Sequence, residues 1–146
     1  MIHLVSNSGS GLADLKRTAE IAWEFCYQNR GDVLIIAGHG SPGVIEAKNG
    51  DELLHHLLQK NINPQNFSEI YIISCDSAVS NGRQSLMQRF VAALKNKGVK
   101  NLIVRGNLGW ASASLDASGK PNGITIEVNE GRQQLPFSKG TQTIKM

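Results

Sequence analysis

Two short apolar runs, each ending at a reactive side chain, constrain the fold more than any other feature of the sequence. Val33–Ala37 runs into Gly-His-Gly at residues 38–40, and Ile70–Ser74 runs directly into Cys75. A continuous apolar run of this length is typical of a strand buried on both faces of a parallel sheet. Because the carboxyl ends of parallel strands lie at one edge of a sheet, adjacent strands would bring His39 and Cys75 together.

The rest of the chain alternates between helical and strand patterns. Helices are predicted for residues 12–28, 52–60 and 83–97, and further strands for residues 1–6 and 102–104. This alternation predicts an α/β fold with a mostly parallel central sheet, right-handed crossovers and helices on both faces. A length of 146 residues fits one domain, 1–146, with no internal repeat or linker.

Residues 106–137 depart from this pattern and predict a β-hairpin flap. Turn signals, Pro-Asn-Gly at 121–123 and Asn-Glu-Gly at 129–131, bracket an apolar stretch at Ile124–Val128. Gln133–Phe137 can pair back against that stretch. The flap is therefore expected to follow the α/β body as a β-rich C-terminal region.

Composition excludes several classes of protein. With 40% hydrophobic and 18% charged residues the chain is not disordered, and no apolar run approaches the ~20 residues of a membrane span. The N-terminus has no signal-peptide pattern, and the two cysteines form no Cys-x-x-Cys pair, so a reducing compartment with two free thiols is expected. No metal is predicted: His55 and His56 are adjacent and point about 100° apart on a helix.

The net charge of +3 is unevenly distributed. Residues 95–146 carry eight Lys and Arg against three Asp and Glu, whereas residues 1–94 carry seven against nine. The basic C-terminal part, residues 95–146, either attracts an anionic ligand or is simply a solvated surface. Aromatic residues among the basic ones are nearly absent, so nucleic acid is not an expected partner.

The residue types at the two strand ends suit nucleophilic catalysis by a thiol. A neighbouring imidazolium lowers the pKa of a thiol from about 8.5, and His39 can then protonate a leaving amine. The backbone amides of Gly40 and Cys75 are candidates for an oxyanion hole. Asp76 either orients substrate or caps the turn. Taken singly, each residue has an ordinary alternative, since a lone cysteine is often a buried hydrophobe and a His between glycines a turn residue.

Other cysteine chemistries fit the spacing poorly. Cys75 is followed by Arg83 in a Cys-x7-Arg spacing, whereas phosphatase loops use Cys-x5-Arg. A nucleophile elbow requires glycine two residues before and after the nucleophile, where this chain has Ile73 and Ser77. The amidotransferase order, with Cys before His, is reversed here.

An apolar strand ending in His-Gly, followed by one ending in a small residue and Cys, resembles the caspase-like cysteine peptidases. The likeness is greatest to the self-processing protease domains of multifunctional RTX toxins and large clostridial toxins, over residues 31–130. It implies a three-layer caspase-like sandwich, with His39 as general base, Cys75 as nucleophile, and the amides of Gly40 and Cys75 at the oxyanion. The chain is shorter than those domains, which favours a stand-alone bacterial effector or small protease over a self-processing one.

The resemblance also implies a substrate cleft and an activator. Residues 105–112 would line the cleft, with the side chains of Ser41, Asn107 and Trp110 near a polypeptide substrate; for Trp110, anchoring the flap is the alternative. The toxin domains are activated by inositol hexakisphosphate in a basic pocket near the flap. The basic residues in the corresponding region of this chain are Arg105, Lys120, Arg132 and Lys139.

The sequence thus predicts a cysteine endopeptidase in the cytoplasm or delivered to a host cytosol. It needs no resident cofactor, with inositol hexakisphosphate as the candidate activator. Two other hypotheses remain open: a non-catalytic module on the same scaffold that binds a peptide or an anion, and a purely structural domain with an inert thiol.

Overall fold

The computed structural model describes all 146 residues, and its strands form three sheets. In chain order the strands are β1 (Ile2–Leu4), β2 (Val33–Ala37), β3 (Gly40–Ser41), β4 (Val44–Ile45), β5 (Glu69–Ile73), β6 (Ile103–Asn107), β7 (Trp110–Leu115), β8 (Pro121–Val128), β9 (Gln133–Pro136) and β10 (Thr141–Lys145). The helices are α1 (Leu12–Ile21), α2 (Gly50–Gln59), α3 (Leu86–Asn96) and the single turn α4 (Phe137–Gly140).

The central sheet has the strand order β1-β2-β5-β6-β10. Its first four strands are parallel, and β10 lies antiparallel to β6 at the edge. A helix occupies each crossover between the parallel strands, as parallel neighbours require. The predicted α/β fold with a mostly parallel central sheet is therefore confirmed. The edge strand β10 is an addition that the sequence does not predict.

Helices α2 and α3 cover one face of this sheet. Leu34 and Ile36 of β2 point toward these helices, where they join the larger apolar core with Leu53, Leu57 and Phe90. All five residues of β2 and all five of β5 are buried, so both strands are covered on both faces. The continuous apolar runs in the sequence reflect this double burial.

Helix α1 and the small antiparallel sheet β7-β8-β9 cover the opposite face. Val33 and Ile35 of β2 face this side, in a second core with Ala19 of α1 and with Ile124 and Ile126 of β8. The predicted pairing of residues 124–128 with 133–137 is confirmed as β8-β9, and β7 adds a third strand. Because Ile124 and Ile126 are almost fully buried, this region is part of the core rather than a loose flap.

Capping side chains fix the starts of α2 and α3. The side chain of Asn49 accepts the amide of Glu52, and the Glu52 carboxylate accepts the amide of Asn49 in return. Ser85 and Gln88 form the same reciprocal box. The predicted start of the third helix at residue 83 is therefore wrong by three residues. Helix α1 continues as a wider π-helical turn over Ala22–Cys26, within the helical span predicted to residue 28.

A buried polar cluster joins β5, β6 and β10 on the α1 side of the sheet. The Glu69 carboxylate accepts a hydrogen bond from the hydroxyl of Tyr27. It also forms an ion pair with Arg105, whose Nε lies 3.3 Å away. The Arg105 guanidinium also donates to Thr141 at 2.6 Å and lies 4.7 Å from the ring centre of Phe137. Each polar group in the cluster therefore has a partner, as burial requires.

A pair of histidines joins the edge strand β1 to α2. The Nε2 atoms of His3 and His56 are 2.8 Å apart, so one ring donates a proton and the other accepts it. Burial lowers the pKa of both imidazoles. Nearby positive charge lowers these pKa values further. For His3 the contributing groups are His56 and Lys60, and for His56 they are Lys48 and Lys60.

Acidification is expected to destabilise the protein through this pair. A histidine pKa that is lowered on folding contributes stability fully above its ordinary value of about 6.5, and that contribution is lost as the pH falls below this value. We expect a melting temperature lower by a few degrees at pH 5.5 than at pH 7.5, and a weaker pH dependence in His3→Gln. His55→Gln is the matched control, because His55 is the exposed neighbour on α2. Identical pH profiles for His3→Gln and the unmodified chain would contradict the assignment.

Candidate active site

Strand register brings the two predicted reactive residues to the same edge of the sheet. Ala37 at the end of β2 lies opposite Ile73 at the end of β5, and His39 and Cys75 each follow two residues later. Both residues line one cavity of about 240 Å³, together with Gly38 and Ser74 from the same strand ends. The predicted convergence of the imidazole and the thiol on one site is therefore seen in the structure.

The remaining walls of the cavity come from two elements that the sequence did not connect with the site. The first turn of α1 contributes Asp14 and Leu15, and Thr18 follows one turn later on the same face. The start of β7 contributes Trp110 and Ala111. The amphipathic pattern of residues 12–28 indicated which face of α1 packs inward, but it gave no sign that this face reaches the site.

His39 is held at its backbone, and its imidazole is hydrogen-bonded to a carbonyl rather than to the thiol. Its amide donates to the carboxylate of Glu46 at 2.8 Å, and its carbonyl accepts the Glu46 amide at 2.7 Å. Imidazole Nε2 lies 2.9 Å from the carbonyl oxygen of Ser10, and no hydrogen bond joins it to Cys75. Because a carbonyl only accepts, Nε2 donates its proton in this bond, and Nδ1 is the ring nitrogen left to act as a base.

The turn that carries Cys75 is attached to the neighbouring strand β6. Asp76 adopts a left-handed backbone with φ 58°, and its amide donates to the carbonyl of Gly109 at 2.9 Å. Ser77 is fully buried, and its hydroxyl donates to the carbonyl of Ile72 at 2.8 Å. The amide of Asn107 donates to that same Ser77 oxygen at 2.7 Å. These bonds fix the position of the thiol relative to the sheet.

The prediction that the Asn107 side chain contacts substrate is wrong. Asn107 is 0% exposed and does not line the cavity. Its Oδ1 accepts the hydroxyl of Tyr71 at 2.6 Å, and its Nδ2 donates to the carbonyl of Ser74 at 3.3 Å. Both ends of the side chain are thus used to hold the segment before Cys75. Asn107 is a positioning residue that acts through the backbone.

Gly40 and Ser41 lie in the β3-β4 hairpin, outside the cavity wall. A Cβ atom on Gly40 would lie 2.9 Å from Cβ and 3.0 Å from Oγ of Ser74, so glycine is needed for this close approach. Ser41 is exposed beside the hairpin turn, and the prediction that its side chain lies at the site is not met. Trp110 does line the cavity, is 47% exposed, and donates its indole N–H to Glu127.

The four basic residues predicted to hold an inositol phosphate do not form one site. Arg105 is committed to Glu69 and Thr141 inside the fold. Lys120 and Arg132 flank opposite ends of the eight-residue strand β8, a separation of about 26 Å at the usual rise per residue. Arg132 pairs with Glu130 on the surface, and Lys139 belongs to α4. Lys120 and Arg132 are therefore too far apart to share one pocket, and activation by inositol hexakisphosphate stays a prediction.

The pKa values of the two thiols, Cys75 and Cys26, are both raised, but to different extents. Burial raises the pKa of Cys75, and the adjacent carboxylate of Asp76 raises it further. Burial also raises the pKa of Asp76 itself. Cys26 is more strongly affected, since burial raises its pKa to about 11. At neutral pH Cys26 is therefore inert, and it provides an internal reference for the reactivity of Cys75.

The hydroxyl of Ser74 is the one buried side-chain polar atom without a hydrogen-bond partner. Ser74 is 2% exposed, lines the cavity and directly precedes Cys75. An orphaned buried hydroxyl is unfavourable by about 1–3 kcal/mol, and such groups are concentrated at functional sites. The Ser74 hydroxyl is therefore a buried donor that no group of the fold uses, next to the reactive thiol.

Removing the carboxylate beside the thiol is expected to speed alkylation of Cys75. Asp76→Asn keeps the left-handed backbone, which asparagine tolerates well, while it removes the charge that raises the thiol pKa. We expect the rate of iodoacetamide labelling at pH 7.5 to rise about threefold, because a larger fraction of the Cys75 thiol is then deprotonated. Mass spectrometry after digestion follows Cys75 with Cys26 as reference. A rate equal to or below that of the unmodified chain would contradict this electrostatic assignment.

No protein-family model and no curated protein matches this chain. No helix of the structure has both the length and the apolar character needed to cross a bilayer. Any conclusion about the chemistry of the site therefore depends on its geometry.

Proposed function

We propose that this protein is a cysteine peptidase with a caspase-like arrangement, in which His39 and Cys75 hydrolyse a peptide bond. The observation that carries the proposal is the pairing of Ala37 with Ile73, which sets both reactive residues at one height beside one cavity. A general base next to a thiol within reach of a solvent-accessible cavity is the arrangement that acyl transfer needs. The order of the parallel strands, with the His strand directly beside the Cys strand, supports the caspase-like assignment.

The reaction begins when the His39 imidazole leaves the carbonyl of Ser10 and turns toward Cys75. The thiol proton passes to the imidazole, and the thiolate attacks the scissile carbonyl carbon. The imidazolium then protonates the leaving amine, the C–N bond breaks, and a thioester remains on Cys75. The neutral imidazole next removes a proton from water, and the resulting hydroxide attacks the thioester. The acid product leaves, and the proton returns to the thiol.

Two features of the chain suit it to stabilise the oxyanion. Glycine at position 40 lets the backbone of the β3-β4 hairpin pack directly against Ser74, where a Cβ atom would lie 2.9 Å from Cβ of Ser74. The resemblance to caspase-like enzymes assigns the backbone amides of Gly40 and Cys75 to the oxyanion. The Ser74 hydroxyl, buried and without a partner, lies beside Gly40 and directly precedes Cys75.

A non-catalytic peptide-binding module is the second candidate. The hydrogen bond of the His39 imidazole to the carbonyl of Ser10 favours it, as does the raised pKa of Cys75, because neither activates the thiol. In this state the site can hold a ligand without attacking it. The two candidates differ in whether His39 controls the reactivity of Cys75.

Covalent labelling under reducing conditions separates the two candidates. The protein is treated with a panel of peptidyl acyloxymethyl ketones, and the adduct is located by mass spectrometry. A peptidase is expected to accumulate one adduct, on Cys75, and His39→Ala is expected to slow its formation at least about tenfold. His55→Ala is the matched control. Equal labelling of Cys75 in the unmodified chain and in His39→Ala would support the binding module.

A further inference from the structure

The wall of the cavity opposite the sheet edge carries a carboxylate. Asp14 lies in the first turn of α1, and its exposed side chain has no ion pair or hydrogen bond. No cap or internal partner therefore accounts for its position on the lining face. Thr18, one turn further along the helix, lines the same wall. Asp14 remains free to bind a group that enters the cavity.

The charge around the cavity has one sign. Asp14 is the only acidic side chain in the lining, and no Lys or Arg lines the cavity. Asp76, which follows the thiol in the sequence, and Glu127, which accepts the indole N–H of Trp110, add negative charge near it, whereas the cations Lys16 and Arg17 of α1 line a different cavity. This region is acidic although the whole chain carries a net charge of +3. A ligand side chain with a positive charge is therefore favoured over a neutral or acidic one.

The space around Asp14 suits one long side chain with an apolar stem. Leu15 of α1, Ile73 of β5 and the ring of Trp110 form apolar walls of the cavity that Asp14 and Cys75 share. The volume of about 240 Å³ is below the range of about 300–1,000 Å³ found for drug-sized ligands. Lysine and arginine combine a methylene stem with a cationic end, and an arginine can also stack on an indole.

We propose that the cavity selects lysine or arginine at the substrate residue that supplies the scissile carbonyl, with Asp14 as the specificity-determining carboxylate. This inference rests on the proposed peptidase function and names its substrate class. The side chain next to the attacked carbonyl must lie beside Cys75, and the cavity is the space that Cys75 and Asp14 share. The stem packs along the apolar walls, and the cation reaches the carboxylate.

The test measures cleavage of fluorogenic peptides that differ only at that residue. The residues compared are arginine, lysine, citrulline, leucine and aspartate; citrulline is the uncharged isostere of arginine. We expect kcat/KM for arginine to exceed that for citrulline by about tenfold or more, since a hydrogen bond to a charged group is worth roughly that factor. Asp14→Asn should remove the difference mainly through KM, and Asp14→Glu should retain it. Glu20→Gln, which removes a charge from α1 away from the cavity, is the matched control.

Each result bears on either the specificity or the function. Cleavage with citrulline or leucine equal to arginine overturns the inference and leaves the peptidase in place. A uniform fall in kcat for all five peptides in Asp14→Asn also overturns it, because Asp14 would then position His39. Absence of cleavage together with absence of His39-dependent labelling overturns the proposed function, and the specificity with it. If Asp14→Asn does not fold, the comparison of arginine with citrulline in the unmodified chain still decides the inference.

Discussion

Cys75→Ala is expected to reduce peptide hydrolysis by at least about 10³-fold while the fold stays intact. Removal of a covalent nucleophile eliminates the acyl-enzyme route, and only the stabilisation offered by the remaining site persists. Cys75 is only half-buried and makes no side-chain hydrogen bond, so loss of the sulfur should not disturb the sheet. The measurement is kcat/KM on the best peptide substrate, with the melting temperature recorded for the same sample.

Cys26→Ala is the matched control for the nucleophile, because it removes the other free thiol of the chain. Its pKa of about 11 keeps that thiol protonated at neutral pH, and activity should be unchanged. Loss of activity in Cys26→Ala with retention in Cys75→Ala would exclude Cys75 as the nucleophile. Retained hydrolysis in both variants would remove the thiol from the mechanism altogether.

Glu69→Ala is expected to give the largest loss of stability among single substitutions of polar residues. The side chains of Arg105 and Glu69 are only 20% and 10% exposed, and the substitution leaves the guanidinium without its carboxylate and Tyr27 without its acceptor. Breaking a buried pair in this way costs about 3–5 kcal/mol, a large part of the ~5–15 kcal/mol that stabilises a typical domain. We expect the melting temperature to fall by roughly 10 °C.

An exposed ion pair in the same chain serves as the control. Arg132 and Glu130 are 3.6 Å apart with side chains 81% and 88% exposed, so Glu130→Ala should change the melting temperature by no more than about 2 °C. The double variant Glu69→Ala/Arg105→Met should be more stable than Glu69→Ala alone, because it removes the unpaired charge. An equal fall in melting temperature for Glu69→Ala and Glu130→Ala would show that burial of the Glu69–Arg105 pair does not increase its contribution to stability.

The sequence predicted the central part of the fold because a strand buried on both faces of a sheet appears as a continuous apolar run. Val33–Ala37 is both a predicted and an observed strand, and the predicted run Ile70–Ser74 differs by one residue at each end from the observed strand Glu69–Ile73. The convergence of His39 and Cys75 followed from strand order alone, since equal offsets from paired residues place side chains at one height. Local pattern and topology agree there.

The rest of the site depends on contacts between residues distant in sequence. Whether α1 or a loop forms the far wall is decided by packing of Ala19 and Ile21 on the sheet, so Asp14 had no recognisable signal. Asn107 follows a predicted strand and was therefore expected in the substrate cleft. In the structure its side-chain amide is instead hydrogen-bonded to the hydroxyl of Tyr71 and to the carbonyl of Ser74. The basic residues of the predicted anion site were grouped because they are close in sequence. The sequence does not show that strand β8 separates Lys120 from Arg132.

In the proposed peptidase, the hydrogen bond between His39 and the carbonyl of Ser10 would affect how different reagents react with the thiol. A net hydrogen bond of about 1 kcal/mol sets a population ratio near five to one in favour of the disengaged ring. Only a molecule long enough to fill the space beside α1 can offset that bias, whereas a small alkylating agent cannot. Selectivity between bystander electrophiles and true substrates would then arise from a conformational equilibrium, before any bond is made or broken.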